Sequence, residues 1–384
     1  VWPDCANDPD GLALLRAAVA HPHEDTPRLV LADWLQEHDL EPVARTLRQS
    51  VTRRDWVGLP AEALDGGWPW SGCHNGWPGI RQPRRLEELA YPEWRAERHR
   101  QPKRLAKLAR AEWVTAVELS DRQLAPADYE DLALFPNLVR LSLFSMEVCA
   151  AGLGELASLT NLHSLHLART SVTDECVQAL TAFARLTKLN LSETQVTGAG
   201  VRALGSLRRL TYLDLRATRV ADAGLLGLTA HANLSTLRLD GTQITDLGLR
   251  ELSRLTDLTT LRLDGTQVTD VGLRELTPLT DLAALGLRAT PVTDAGLRPL
   301  GALTNLRYLD LHGTRVTDAG LKELVPLTGL TALDLRRTQV TDAGLRELAR
   351  MRNLATVGLH RTRVTFRGVY DLEVALPHCK ISWM

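Results

Sequence analysis

The chain has 384 residues, with 45 Lys or Arg against 46 Asp or Glu and a formal net charge of −1. That length exceeds one ordinary compact domain, and the balanced charge leaves no global field to draw the protein toward nucleic acid or an anionic membrane. No apolar run reaches the ~20 residues a membrane-spanning helix needs, and the start lacks the basic-then-apolar pattern of a secretory signal, although it begins at Val1 rather than Met. Cys5, Cys73, Cys149, Cys176 and Cys379 are odd in number, far apart and never spaced as C-x-x-C. They form neither a disulfide framework nor a zinc motif, so a reducing compartment, the cytoplasm, is the expected setting. No cofactor and no metal is expected. Eight of the nine Trp residues lie between Trp2 and Trp113, the ninth being Trp383; this marks a compositional boundary near residue 113.

Residues 9–47 read as helices. Asn7 or Asp8 supplies a cap, Pro9 sits in the first turn, and Leu12, Leu15 and Val19 make an apolar stripe. His21-Pro22 stops that helix. Thr26-Pro27 opens another, through Leu29, Val30, Trp34 and Leu35, and Val43–Leu47 begins a third. The string Pro27 to Asp39, P-R-L-V-L-A-D-W-L-Q-E-H-D, resembles the short repeat-companion domain attached to repeat arrays in planctomycete proteins, a family that implies no activity. Asp33, Glu37 and His38 read as a solvated helix face beside a Trp34 core.

Residues 51–113 form a second segment. Gly66–Gly72 and Asn75–Gly79 are turn-rich with interleaved Trp, the composition either of a ligand-contacting loop or of an irregular plug over the first repeat. From Arg81 to Arg110 bases outnumber acids. A basic helix beside Trp residues suits RNA or DNA, while most such runs are solvated helix faces.

From 114 to 384 the sequence repeats. Val117, Leu141, Leu165, Leu189 and their successors to Val357 and Ile381 recur every 24 residues without insertion or deletion, with a second apolar column two residues later ending at Trp383. One unit, Leu258 to Leu279, reads L-T-T-L-R-L-D-G-T-Q-V-T-D-V-G-L-R-E-L-T-P-L. Its alternating opening predicts a short half-buried strand, Asp264-Gly265-Thr266 a turn, and Asp270 the N-cap of a helical turn carrying Leu273 and Leu276. One unit cannot bury its leucines alone; stacked units share a continuous core beside a parallel sheet. The last unit carries Phe366 in place of the Asp, and Ile381 with Trp383 predicts a closing strand with Trp383 over the core.

These units resemble the leucine-rich-repeat family, L-x-x-L-x-L-x-x-N-x-L, with Thr for the usual Asn or Cys; the T-D-x-G-L-x-x-L half is similar to the convex side of F-box-type and bacterial repeats of this class. The resemblance implies an α/β leucine-rich-repeat solenoid, with a curved parallel sheet on the concave face and short helices on the convex face, preceded by a small α-helical domain. It also implies that the column Thr170 to Thr362 bonds turn backbone within each coil. The Gly column, Gly200 to Gly368, reads as permitting close coil-to-coil approach. Three units are expected: 1–50 helical, 51–113 linker or cap, 114–384 repeats.

Residues between the inward leucines face the concave side. Tyr212, Asp214, Arg216, Arg238, Asp240, Arg262, Asp264, Arg288, Tyr308, Asp310, His312, Asp334, Arg336 and His360 are the candidate site residues. Asp214 neighbours Arg238 one coil along, and Arg262 lies between Asp240 and Asp264. Such a pattern is either a charge ladder of small energetic worth or a mixed-charge binding face anchored by Tyr and Arg. His312 and His360 are two coils apart, about 10 Å, too far to share a metal. No nucleophile, phosphate-loop or metalloprotease motif occurs. The expected function is a non-enzymatic scaffold binding a protein partner on the concave face. The alternatives are nucleic-acid binding through 81–110 and an adaptor recruiting an enzyme through its N-terminal helices.

Overall fold

The computed structural model describes residues 116–120, 124, 126–135 and 137–383. The expected helical domain at 1–50 and the Trp-rich, basic segment at 51–113 lie outside the described residues.

Twelve strands form one parallel sheet in sequence order. They are β1 Ala116–Ser120, β2 Arg140–Phe144, β3 Ser164–His166, β4 Lys188–Asn190, β5 Tyr212–Asp214, β6 Thr236–Arg238, β7 Thr260–Arg262, β8 Ala284–Gly286, β9 Tyr308–Asp310, β10 Ala332–Asp334, β11 Thr356–Gly358 and β12 Lys380–Ser382. Each strand pairs with the next at a register of 24 residues, as in Leu237 with Leu261 and Leu261 with Leu285. The 24-residue period of the sequence is therefore the register of the sheet.

Between strands runs a turn and a short helix, such as Asp270–Leu273 followed by a 3-10 turn over Arg274–Leu276. Leu258, Leu261, Leu263, Val268, Leu273, Leu276 and Leu279 of that coil are all fully buried. Burial of such a side chain is worth about 1.5–3 kcal/mol, and stacking on the neighbouring coils completes it. The Thr column behaves as its resemblance implies. Each Oγ1 from Thr170 to Thr362 donates to the carbonyl three residues back, at 2.6–2.7 Å, fixing the strand-to-turn corner.

The helix start differs from the sequence reading. Thr269, not Asp270, is the N-cap: its side chain accepts from the Val271 N–H, and Thr245, Thr293, Thr317 and Thr341 do the same in their coils. Asp270 instead reaches forward one coil. Its Oδ1 accepts the Thr293 N–H at 2.8 Å and its Oδ2 accepts the Thr293 hydroxyl at 2.6 Å. The same two-bond clamp joins Asp174 to Thr197, Asp222 to Thr245, Asp246 to Thr269, Asp294 to Thr317, Asp318 to Thr341 and Asp342 to Thr365. A carboxylate does both jobs because it offers two acceptor oxygens at fixed separation. The Gly column follows from the clamp. A Cβ on Gly296 would stand 2.5 Å from Oδ1 of Asp270, and Gly248, Gly320 and Gly344 repeat the conflict. The expected close approach is thus made by a side chain of the preceding coil.

The clamp is absent where Pro126 and Ala150 hold the Asp position, and again between the coils of β4 and β5. Gly198 and Ala221 hold the positions of Asp and Thr, and there two glycines meet instead: a Cβ on Gly224 would lie 2.6 Å from Gly198 Cα. At the C-terminal end Phe366 takes the Asp position and meets Trp383 edge-on, ring centroids 6.1 Å apart. Trp383 is partly buried against the core next to β12, as the register predicted.

Candidate functional site

The open face of the sheet carries the candidate residues, in a fixed order from inner to outer columns. Tyr212 and Tyr308 are half-buried at the start of β5 and β9; Asp214, Asp310 and Asp334 are buried in the middle; Arg216, Asp240, Asp264, His312 and Arg336 are half-buried beyond the strand ends; Arg288 and His360 are exposed.

The buried acids have structural partners. Asp214 Oδ1 accepts the Arg216 backbone N–H at 3.1 Å, both its oxygens face Arg216 Nε at 3.0 Å, and the Tyr212 hydroxyl donates to Oδ2 at 3.3 Å. Asp310 takes the His312 N–H and the Tyr308 hydroxyl in the same way. Asp334 takes the Arg336 N–H and its Nε. A carboxylate two residues before the turn thus fastens the chain as it leaves the strand.

On β6 and β7 the order of charge reverses, with Arg in the middle and Asp outside. The reversal links the coils into one network. Arg238 lies 3.8 Å from Asp214 and 3.7 Å from Asp240; Arg262 lies 3.6 Å from Asp240 and bonds Asp264 directly. Asp264 also accepts the Arg288 backbone N–H at 2.9 Å. The pairings expected from sequence, Asp214 with Arg238 and Arg262 with both acids, are present. Gly286 makes room for them, because a Cβ there would stand 2.4 Å from Arg262 Nε and 2.6 Å from Asp264 Oδ1.

Burial sets the electrostatics of this face. Asp240 is pushed up to about 7, because burial and the Asp264 charge outweigh Arg262 and Arg238, which stand beyond hydrogen-bonding reach of it. Asp310 is pushed up to about 6, chiefly by burial, against the His312 N–H and with the charges of Asp334 and Asp264 adding. Burial and Asp214 push Tyr212 up to about 12, and burial and Asp310 also raise Tyr308. Burial opposes the charge of Arg262, but Asp264 and Asp240 more than offset it and its pKa rises. His166, on the same face at β3, is pushed down to about 4 by burial.

Reading alternate strand positions missed one column. Arg337 and Arg361 follow the outer column in the turn, where φ is positive and the side chains are exposed. The signal was the basic pairing in Arg336-Arg337 and His360-Arg361-Thr362-Arg363, which a period-two reading of the strand does not collect. Among the described residues no group of three His, Cys, Asp or Glu side chains is placed to hold a metal ion, and no helix is long and apolar enough to cross a membrane.

The family model described as Leucine Rich repeat matches residues 186–205, 230–253, 254–276, 302–325 and 328–349. The solved structure of an internalin from Listeria monocytogenes is similar in fold, with a TM-score of 0.52 at 20% identity over 71% of this chain and 87% of that one. An internalin C2 from the same organism aligns with a TM-score of 0.40 at 26% identity, over 63% of this chain and 84% of that one. No curated protein sequence matches the chain. With the sheet register, the Thr corners and the family match in agreement, the described residues fold as a leucine-rich-repeat solenoid.

Proposed function

We propose that this protein is a non-enzymatic scaffold whose open sheet face binds a protein partner. The observation that carries the reading is the network from Arg216 to Asp264, in which side chains from three successive coils are held in place by ion pairs and backbone bonds before any partner arrives. Preassembled Arg and Tyr groups lose little freedom on binding, and these residue types dominate interface energetics. Much of the acid on this face is committed to its own backbone, so the groups offered to a partner are the tips of Tyr212 and Tyr308, Arg216, Arg238 and Arg262 and the outer column from Asp240 to His360.

Cys149, Cys176 and Cys379 are free thiols, the last two buried, which fits a protein working in the reducing cytoplasm. The test is capture of a partner from native lysate by the whole chain, then recapture with Tyr212→Ala, Tyr308→Ala and Arg216→Ala, each shown by circular dichroism to stay folded. Loss of the captured protein from these variants supports the face. Full retention by all three refutes it.

A further inference from the structure

The charged face is not uniform along the solenoid. Over the coils of β5 to β7 its acids and bases face one another. Over the coils of β8 to β11 the outer edge changes character. The outer column reads Arg288, His312, Arg336, His360; the turn column after it Ala289, Gly313, Arg337, Arg361; the next outward-facing column Pro291, Arg315, Gln339, Arg363. These twelve positions include six arginines, two histidines and no acid. Only Arg336 is tied to a carboxylate, that of Asp334. Among the described residues no ion pair engages Arg288, Arg337 or Arg361, and all three are exposed.

The register of the sheet sets these positions on neighbouring coils of one edge. His312 is held toward its neutral form by burial and then by the charges of Arg288, Arg336 and Arg337, with Asp334 opposing. His312 therefore lies within the field of three arginines from the two coils that flank its own. Arg336, Arg337 and Arg361 stand on adjacent coils ~4.8 Å apart and Arg288 two coils before Arg336; such like charges repel one another and are relieved by an anion laid along them. The strip also has ends. Its outer column continues toward the N-terminus as Asp264 and Asp240, and its inner border is formed by Asp310 and Asp334.

We propose that this edge binds an acidic, extended peptide segment of the protein partner, lying across the coils of β8 to β11. The proposal rests on the scaffold reading above and gives the partner its chemistry. Three coil steps span about 14 Å, the reach of about four to five extended residues at ~3.3 Å each. Such a segment fits between the flanking acids. A nucleic-acid duplex, with its phosphates spread over a wider front, meets Asp240 and Asp264 in the same column. Those two acids also give the strip a direction: the segment's acidic residues lie over Arg288 to Arg361, and basic residues beyond one end lie over Asp264 and Asp240.

The experiment uses the whole chain and a fluorescein-labelled hexaglutamate peptide, read by fluorescence anisotropy at low ionic strength. Binding is expected, weakened about tenfold by the double reversal Arg288→Glu with Arg337→Glu, kept by Arg288→Lys with Arg337→Lys, and lost as salt screens the pairs. Reversal of two exposed arginines on the helix side, Arg250→Glu with Arg274→Glu, leaves it unchanged. Absence of hexaglutamate binding, equal loss from the helix-side reversal, or tighter binding of a labelled duplex DNA through Arg288 and Arg337 overturns the proposal. None of these results touches the scaffold reading, which is decided by the Tyr212, Tyr308 and Arg216 variants against a captured protein.

Discussion

Replacement of Asp270 by Ala tests the account of how coils are joined. Asp270 holds the Thr293 N–H at 2.8 Å and the Thr293 hydroxyl at 2.6 Å, and both residues are half-buried. Hydrogen bonds to a charged acceptor contribute about 1.5–3 kcal/mol each when buried. Allowing for partial exposure of the pair, Asp270→Ala should cost about 2–3 kcal/mol. The Thr293 amide loses its acceptor. Asp270→Asn keeps the Oδ1 acceptor and offers an N–H to the Thr293 oxygen, so it should lose about 1 kcal/mol. Ala221→Thr serves as control: Gly198 offers no carboxylate to receive it, so stability should not rise. Urea unfolding reports the total, and amide hydrogen exchange at Thr293 reports the seam itself. An Asp270→Ala protein within about 0.5 kcal/mol of the parent, with unchanged exchange at Thr293, would show that the clamp is an ornament of the stacking rather than a cause.

Asp240 should titrate near 7 in the folded protein, visible as the carboxyl 13C shift. Because its folded pKa is raised above the ordinary ~3.8, the folded state holds its proton more tightly, so stability falls as pH rises through the window from about 4 to 7. The parent should therefore lose stability relative to Asp240→Asn between pH 5 and pH 8; parallel curves for the two proteins count against the assignment. His231 is fully buried where other coils carry Leu207, Leu255 or Leu279, and both its ring nitrogens face carbonyls, of Leu228 at 3.2 Å and Leu204 at 3.0 Å. A neutral imidazole carries one N–H and bonds only one of them. Burial lowers its pKa, so its contribution is complete above the unfolded value near 6.5 and is lost as pH falls below it. His231→Leu should leave stability at pH 8 nearly unchanged and outlast the parent at pH 5 in urea; equal acid sensitivity would be the contrary result. Ala289 occupies left-handed backbone at φ 53°, where Gly241, Gly265 and Gly313 stand in neighbouring coils. Ala289→Gly should stabilise by about 0.5–1 kcal/mol, and a lower urea midpoint would refute that.

The 24-residue period carried nearly all of the fold. A strand register, a buried Leu column and a Thr corner each need only a residue type at a fixed interval, and the sequence shows both. What the period does not show is which neighbour a polar side chain chooses. Asp270 sits where an N-cap is expected, and only the distance to Thr293 one coil later reveals that Thr269 caps while Asp270 clamps. The acids of the open face raise the same problem. Asp214 and Asp240 lie in adjacent outward columns, yet the first is consumed by its own backbone and the second stands between two arginines. Burial, not spacing, separates those roles. The basic edge went unread for a simpler reason: Arg337 and Arg361 belong to the turn, where alternation stops.

The contact of Gly198 with Gly224, where Asp and Thr clamps are absent, divides the array unequally. It falls between the coils of β4 and β5, and the charged face begins at Tyr212 on β5. Coil stability is summed from nearest neighbours, so this seam, which keeps strand pairing and the shared core but lacks the clamp, is weaker than those that follow it. Beyond it, six consecutive clamps from Asp222 to Thr365 tie the remaining coils together. Loosening at the seam between β4 and β5 would therefore leave the clamped block, with the charged face from Tyr212 onward, intact.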